Sequence, residues 1–396
     1  MKLQKKRLKN GITVVWEKRD LPLVALSITN PFGAAYENSD VKGIAHLIEH
    51  LVFKGTKTRT HEDISREIEK KGGILNAFTA QDVTSFWFKL SSEHVFSGLD
   101  IISDVMSNPI FDKGEFEKEK KVVIEEIRMY HDMPMRAVHE QIEANLYKKP
   151  FGEGIAGSEK SVGGLKRDFV ADYFFNHYNP GNFVVTLVGK VDFKKVCDYV
   201  ERNFKPRKVK LKLPKIVKWN KESVERRKGI DQAHFVFAFH APLIKEKGYY
   251  ELEALNAYLA KGMSSKLFLE IREERGLAYT VKGSLNTEKN YSYYSIYVGT
   301  RKEALPEVKK LILKGFRDVS KMTEKDLMEA KEMLVGLRKV SMEESSDVMN
   351  ELMFHELLGK AEDYYDYEKK VRAVTLAGVK KAANFGKYST AAIVPA

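Results

Sequence analysis

The sequence predicts an α+β fold made of two related domains, each a mainly antiparallel sheet flanked by helices, and three observations lead there. Its 396 residues exceed the ~150 that a single domain usually takes. Stretches of two-residue apolar alternation and stretches of helical period both occur, marking strands and amphipathic helices. One order of elements, a helix, a strand, an aromatic-rich alternating strand and an amphipathic helix, occurs twice along the chain.

Gly11 to Asn30 alternates apolar and polar residues, broken at Asp20 and Pro22, and reads as two strands. Gly43 to Phe53 has helical period. Thr60, with Asp63 three residues on, starts a second helix that stops at Gly72-Gly73. Strands follow at Ile74–Thr79 and Thr84–Leu90, the latter with Phe86, Phe88 and Leu90 on one face. Val95, Leu99, Ile102 and Met106 share a helix face before Pro109, and a long helix covers Glu115 to His131. Asn182–Gly189 reads as a buried strand. Lys205 to Lys221, lysine-rich with two prolines, reads as a linker. The expected division is a domain at 1–208, a linker at 209–221 and a domain at 222–396. In the second domain, strand His234–Ala241 precedes helices from Gly248 and over Ser265–Glu274. Strands Leu277–Ser284 and Tyr291–Thr300 come next, then a helix burying Leu305, Val308, Leu311, Ile312 and Phe316.

With 43% hydrophobic residues the chain can bury a core, which excludes disorder as a description of the whole. No run approaches the ~18 apolar residues of a membrane helix, and the basic start lacks the apolar run of a secretory signal. The single cysteine, Cys197, excludes an internal disulfide and fits a cytoplasmic protein. The net charge of +12 comes from interleaved charges, as on solvated helix faces, so no nucleic acid or membrane partner is expected.

The chemistry lies in His46-Leu47-Ile48-Glu49-His50. With ten histidines in the chain, H-x-x-E-H would arise by chance on the order of 0.02 times. Four residues apart on a helix, His46 and His50 present imidazoles to one point, as zinc ligands do. Glu49 lies about 60° from His46 on the helical wheel, placed to take a proton from water that a metal has acidified. A catalytic zinc needs a third protein ligand. On the wheel of the Glu115–His131 helix, Phe116, Val123, Ile127 and Tyr130 form the buried stripe. Glu119 and Glu126 border it and Glu125 faces solvent, which leaves Glu119 and Glu126 as the two candidates.

Beyond this motif the chain resembles the pitrilysin (insulinase) family of zinc metallopeptidases, in the two-domain branch that includes mitochondrial processing peptidase. Asn10 to Val15, Gly43 to Thr56, Asn76-Ala77-Phe78-Thr79, Val123 to Ile127 and Tyr178 to Asn182 carry the resemblance, which spans nearly the whole chain. It implies that Glu126, 75 intervening residues after His50, is the third ligand of one zinc per chain. Glu119, seven positions earlier, then supports the site by hydrogen bonding. The resemblance also implies that Asn76, Ala77 and Phe78 bind extended substrate along a strand edge.

Arg272 and Tyr279, seven residues apart, read by themselves as a helix-surface arginine and a packing tyrosine. They are similar to the family's Arg/Tyr pair, whose donors suit a developing oxyanion. Lys266 departs from the family, where arginine is common. The resemblance implies a zinc endopeptidase with Glu49 as general base, acting on unfolded peptides. Each chain is expected to form half of a clamshell, in a homodimer whose partner supplies Arg272 and Tyr279. The competing expectation is a non-catalytic assembly protein, whose counterparts lack the intact metal motif present here. A nucleic-acid binder, resting on charge alone, would reveal itself by steeply salt-dependent binding.

Overall fold

The computed structural model describes residues 3–205 and 211–396, so 206–208 of the expected first domain and 209–210 of the expected linker lie outside the described residues. Among the described residues, eleven strands form two sheets. The first contains β1 (Leu3–Arg7), β2 (Thr13–Lys18), β3 (Leu23–Asn30), β4 (Ile74–Thr79), β5 (Thr84–Ser91) and β6 (Val184–Gly189), in the order β1-β2-β6-β3-β5-β4. The second contains β7 (Glu222–Arg227), β8 (Ala233–His240), β9 (Ala278–Thr287), β10 (Ser292–Thr300) and β11 (Ser389–Pro395), in the order β7-β11-β8-β10-β9. Without β1 the two orders coincide strand for strand. Each sheet has one parallel pair, β2–β6 and β7–β11, and its other pairs are antiparallel. The repeat inferred from element order is thus a repeat of topology.

Alternation places Phe86, Phe88 and Leu90 of β5 in the core. β1 is absent from the sequence reading because its Lys-Lys-Arg run shows no apolar alternation. It lies at a sheet edge, where charged residues also deter pairing with other chains. Five helices follow in the first part of the chain: α1 (Ile44–Val52), α2 (His61–Glu69), α3 (Val95–Ser107), α4 (Lys113–Asp132) and α5 (Pro134–Leu146). α1 buries Ile44, Ala45, Leu47, Ile48, Leu51 and Val52, leaving its polar face for His46, Glu49 and His50. The capping box of α2 forms as expected. Asp63 N–H donates to Thr60 Oγ1 (3.2 Å), and Thr60 N–H donates to Asp63 Oδ2 (3.0 Å).

The chain divides into two compact units that are not contiguous halves. One comprises Met1–Arg128, Gly154–Lys215 and Ser341–Tyr364; the other comprises Met129–Glu153, Ile216–Val340 and Tyr365–Ala396. α5 packs on β8 and β11 of the second sheet, where Asn145 Nδ2 donates to Ser223 Oγ (2.7 Å) and to the Thr390 carbonyl (2.9 Å). The helix Ser345–Leu357 packs instead on β3 and β6 of the first sheet. One cut at 209–221 puts each of these helices with the wrong sheet, because an apolar helix face announces burial without naming its partner.

Leu352, fully buried on the Ser345–Leu357 helix, tests this exchange. Leu352→Ala should cost about 2–5 kcal/mol in denaturant unfolding. Hydrogen exchange should quicken in β3 and β6; quickening confined to β8 and β11 would contradict the assignment.

Candidate metal centre and active site

Two helices bring the polar residues together. α1 presents His46 and His50 one turn apart, with ring centroids 4.8 Å from each other. α4 buries Phe116 and Val123, and this turns the flanking Glu119 and Glu126 towards α1 while Glu125 stays in solvent with Arg128. Glu126 Oε2 stands 3.7 Å from His46 Nε2 and 3.4 Å from His50 Nε2. One donor atom each from His46, His50 and Glu126 lies within 4.8 Å of the others. Tetrahedral ligands at the usual ~2.0–2.1 Å from zinc sit about 3.3 Å apart, so this donor set fits zinc with small adjustment.

Glu119, only 6% exposed, lies behind the histidines. Its Oε2 is 3.3 Å from His50 Nδ1 and its Oε1 is 2.8 Å from Lys54 Nζ. A proton on Nδ1 shared with Glu119 leaves Nε2 of His50 free to face Glu126, the arrangement that orients a metal-binding imidazole. Burial opposes the ionised form of Glu119, but His50 and Lys54 outweigh it and hold its carboxyl below the ordinary value. For His50, burial opposes protonation; the bond to Glu119 and the charges of Glu49 and Glu126 overcome it and raise the pKa. This excess of negative charge suits a divalent cation.

Glu49 points from the same face of α1. Thr79 Oγ1, at the end of β4, donates to Glu49 Oε2 at 2.6 Å. Burial raises the Glu49 pKa, and the nearby Glu126 adds to the rise, whereas Thr79 and His50 restrain it. A carboxylate of raised basicity, fixed by one donor on the face that carries His46 and His50, is equipped to accept a proton. A cleft of about 500 Å³ runs from Glu49 and His50 past Phe53, Ile64 and Leu75 to Asn76 and Ala77.

Asn76, Ala77 and Phe78 lie on β4, which among the described residues pairs with β5 alone and forms the edge of the first sheet. The Ala77 N–H is held by Asn76 Oδ1 at 2.7 Å. Arg272 and Tyr279 belong to the second unit. Arg272 sits in a π-helical turn, Leu269–Glu274, and its guanidinium lies 4.9 Å from the Tyr279 ring centroid. Tyr279, on the edge strand β9, is 72% exposed and so is not a packing tyrosine. The sequence reading missed Thr79 and Lys54 as neighbours of the site. Both stand within stretches that carry the family resemblance, and Lys54 follows His50 by the four residues of a helical turn. The contacts of Thr79 with Glu49 and of Lys54 with Glu119 nevertheless cross between elements and follow no local period.

Comparison with known proteins points to one family. Residues 13–159 match the family description "Insulinase (Peptidase family M16)", and residues 164–334 match "Peptidase M16 inactive domain". An uncharacterized zinc protease of Bacillus subtilis is 30% identical over 381 residues, covering 94% of this chain and 93% of that protein. One from Rickettsia felis is 33% identical over 326 residues, covering 81% and 78% respectively. The fold matches the crystal structure of a protease from Helicobacter pylori with a TM-score of 0.92 at 22% identity, over 100% of this chain and 99% of that one. The chain belongs to the insulinase family of peptidases, family M16, whose relatives here are named zinc proteases.

Proposed function

We propose that this protein is a zinc-dependent endopeptidase that cleaves unfolded polypeptides. The observation that carries the reading is the convergence of His46, His50 and Glu126 donor atoms within 4.8 Å, with Glu49 beside them on α1. The three residues would hold one zinc ion per chain, which supplies Lewis acidity to polarise a peptide carbonyl and acidify water. Glu49 takes the proton from the attacking water, and the bond from Thr79 keeps its carboxylate aimed while it does so. The same carboxyl can then deliver that proton to the departing amine. Glu119 and Lys54 keep His50 in orientation.

Extended substrate adds to the free edge of β4, its side chains entering the cleft beside Leu75 and Ala77. Binding there must displace the Asn76 side chain from the Ala77 N–H. Arg272 and Tyr279 supply donors for the oxyanion. In this reading they come from a second copy of the chain, so that a homodimer has two composite sites. The exposure of Tyr279 and its contact with Arg272 support such a role. One buried cysteine fits action in the cytoplasm.

Cleavage of an unstructured fluorogenic peptide should require zinc, stop on chelation and return on zinc addition. Glu49→Gln should lower turnover ~10²–10⁴-fold while still binding one zinc per chain. Undiminished cleavage by this variant would sink the assignment of the base, and an inert zinc-replete wild type would favour the assembly-protein reading. Thr79→Val removes a donor to the ionised carboxylate, so the acidic limb of kcat/KM should move to higher pH, with Thr79→Ser restoring it. An unmoved limb in Thr79→Val would separate Thr79 from Glu49 function. Mixed Glu49→Gln and Arg272→Ala proteins should regain partial activity after subunit exchange, and no recovery despite exchange would rule out shared sites.

A further inference from the structure

We infer that Glu37, backed by Lys42, is a positioning residue for the metal centre, whose carboxylate fixes the first turn of α1 and with it the place of His46. This rests on the reading of His46, His50 and Glu126 as zinc ligands.

A helix leaves its first backbone N–H groups without partners, and a Ser, Thr, Asp or Asn at its first position usually supplies one. α1 cannot use that device. Its first position is Gly43, at φ +94°, and a Cβ there would lie 2.3 Å from the Ala156 carbonyl oxygen. The task falls to a residue six positions upstream. Glu37 Oε2 accepts from the Gly43 N–H at 3.0 Å, and Oε1 accepts from the Ala45 N–H at 2.7 Å. Both carboxylate oxygens are thus committed to the turn that ends at His46, and the carboxylate's charge also complements the helix dipole. Glu37 and Lys42 are each 1% exposed. Lys42 Nζ stands 3.8 Å from Glu37 and donates to the Ala34 carbonyl at 2.6 Å, tying the pair to the short turn Ala34–Tyr36.

Stability alone does not account for this arrangement. A buried ion pair is commonly no better for folding than apolar residues of the same volume. Burial pushes the Glu37 carboxyl up to about 7, against the pull of Lys42 and the two backbone donors. Its contribution to stability is therefore full below the ordinary carboxylate range and is lost as pH rises towards 7. What the pair gives is register. Gripping the N–H groups of Gly43 and Ala45 sets the rotation of a nine-residue helix about its axis, and that rotation aims both imidazoles.

The test is the double variant Glu37→Gln/Lys42→Met, which keeps volume, removes both charges and leaves one oxygen for two N–H donors. Zinc affinity is measured by chelator competition, the cobalt-substituted protein is compared by visible spectroscopy, and folding is followed by thermal melting. Wild type should bind one zinc per chain. The variant should melt cooperatively, bind zinc ~10–100-fold more weakly and show an altered cobalt spectrum. Glu37→Gln alone, read the same way, should show the same weakening and decides the matter if the double variant does not fold. Unchanged affinity and spectrum in either folded variant would overturn the inference while leaving the zinc site standing. A wild type that binds no zinc would overturn both.

Discussion

Three carboxylates and two imidazoles crowded on two helices repel as much as they attract, so the centre depends on a frame that holds α1 against α4. The frame is apolar. Ile44, Leu47, Ile48 and Leu51 of α1 and Phe116 and Val123 of α4 belong to one buried cluster with Phe86 and Phe88 of β5. With those faces fixed, the opposite charges of Lys54 and the donor group of Thr79 need only trim the result. Removing the metal-facing residues would leave the packing intact, whereas loosening the packing would disperse the site.

How far the sequence disclosed this arrangement follows from the range of each interaction. His46, Glu49 and His50 share one helix, so a four-residue spacing suffices to bring them together. The wheel of α4 admits Glu119 and Glu126, the family resemblance favours Glu126, and both carboxylates lie beside His50. Thr79 and Glu37 reach α1 from elsewhere in the chain. Their contacts depend on how β4 and the Ala34–Tyr36 turn dock, which no local period encodes. Eight of the eleven described strands are legible in the apolar pattern, with ends that agree to within about three residues. The edge strands β1 and β7, rich in charge, the last strand β11, and the sheets chosen by α5 and Ser345–Leu357 are not.

The topological repeat gives the two units different uses of one plan. β4 and β9 hold the same place in their sheets, each beside a hairpin partner and each at an edge. On β4 that edge runs beside the metal-facing residues; on β9 it carries Tyr279, and the π-helical turn just before it carries Arg272. The two sheets thus share an exposed margin at the same place, and the helix bearing His46, Glu49 and His50 lies next to the first.

The exchanged helices also bear on how the chain can be divided. A cut between residues 209 and 221 would yield a first fragment lacking the helix that covers β3 and β6, and a second lacking α5 from β8 and β11. Each fragment would expose a strip of sheet and carry, or leave behind, a helix shaped for the other: Val348, Met349, Leu352 and Met353 on one side, Ala137, Val138 and Ile142 on the other. The two pieces are therefore reciprocal clasps, and a nicked chain should stay associated where separately made halves would aggregate.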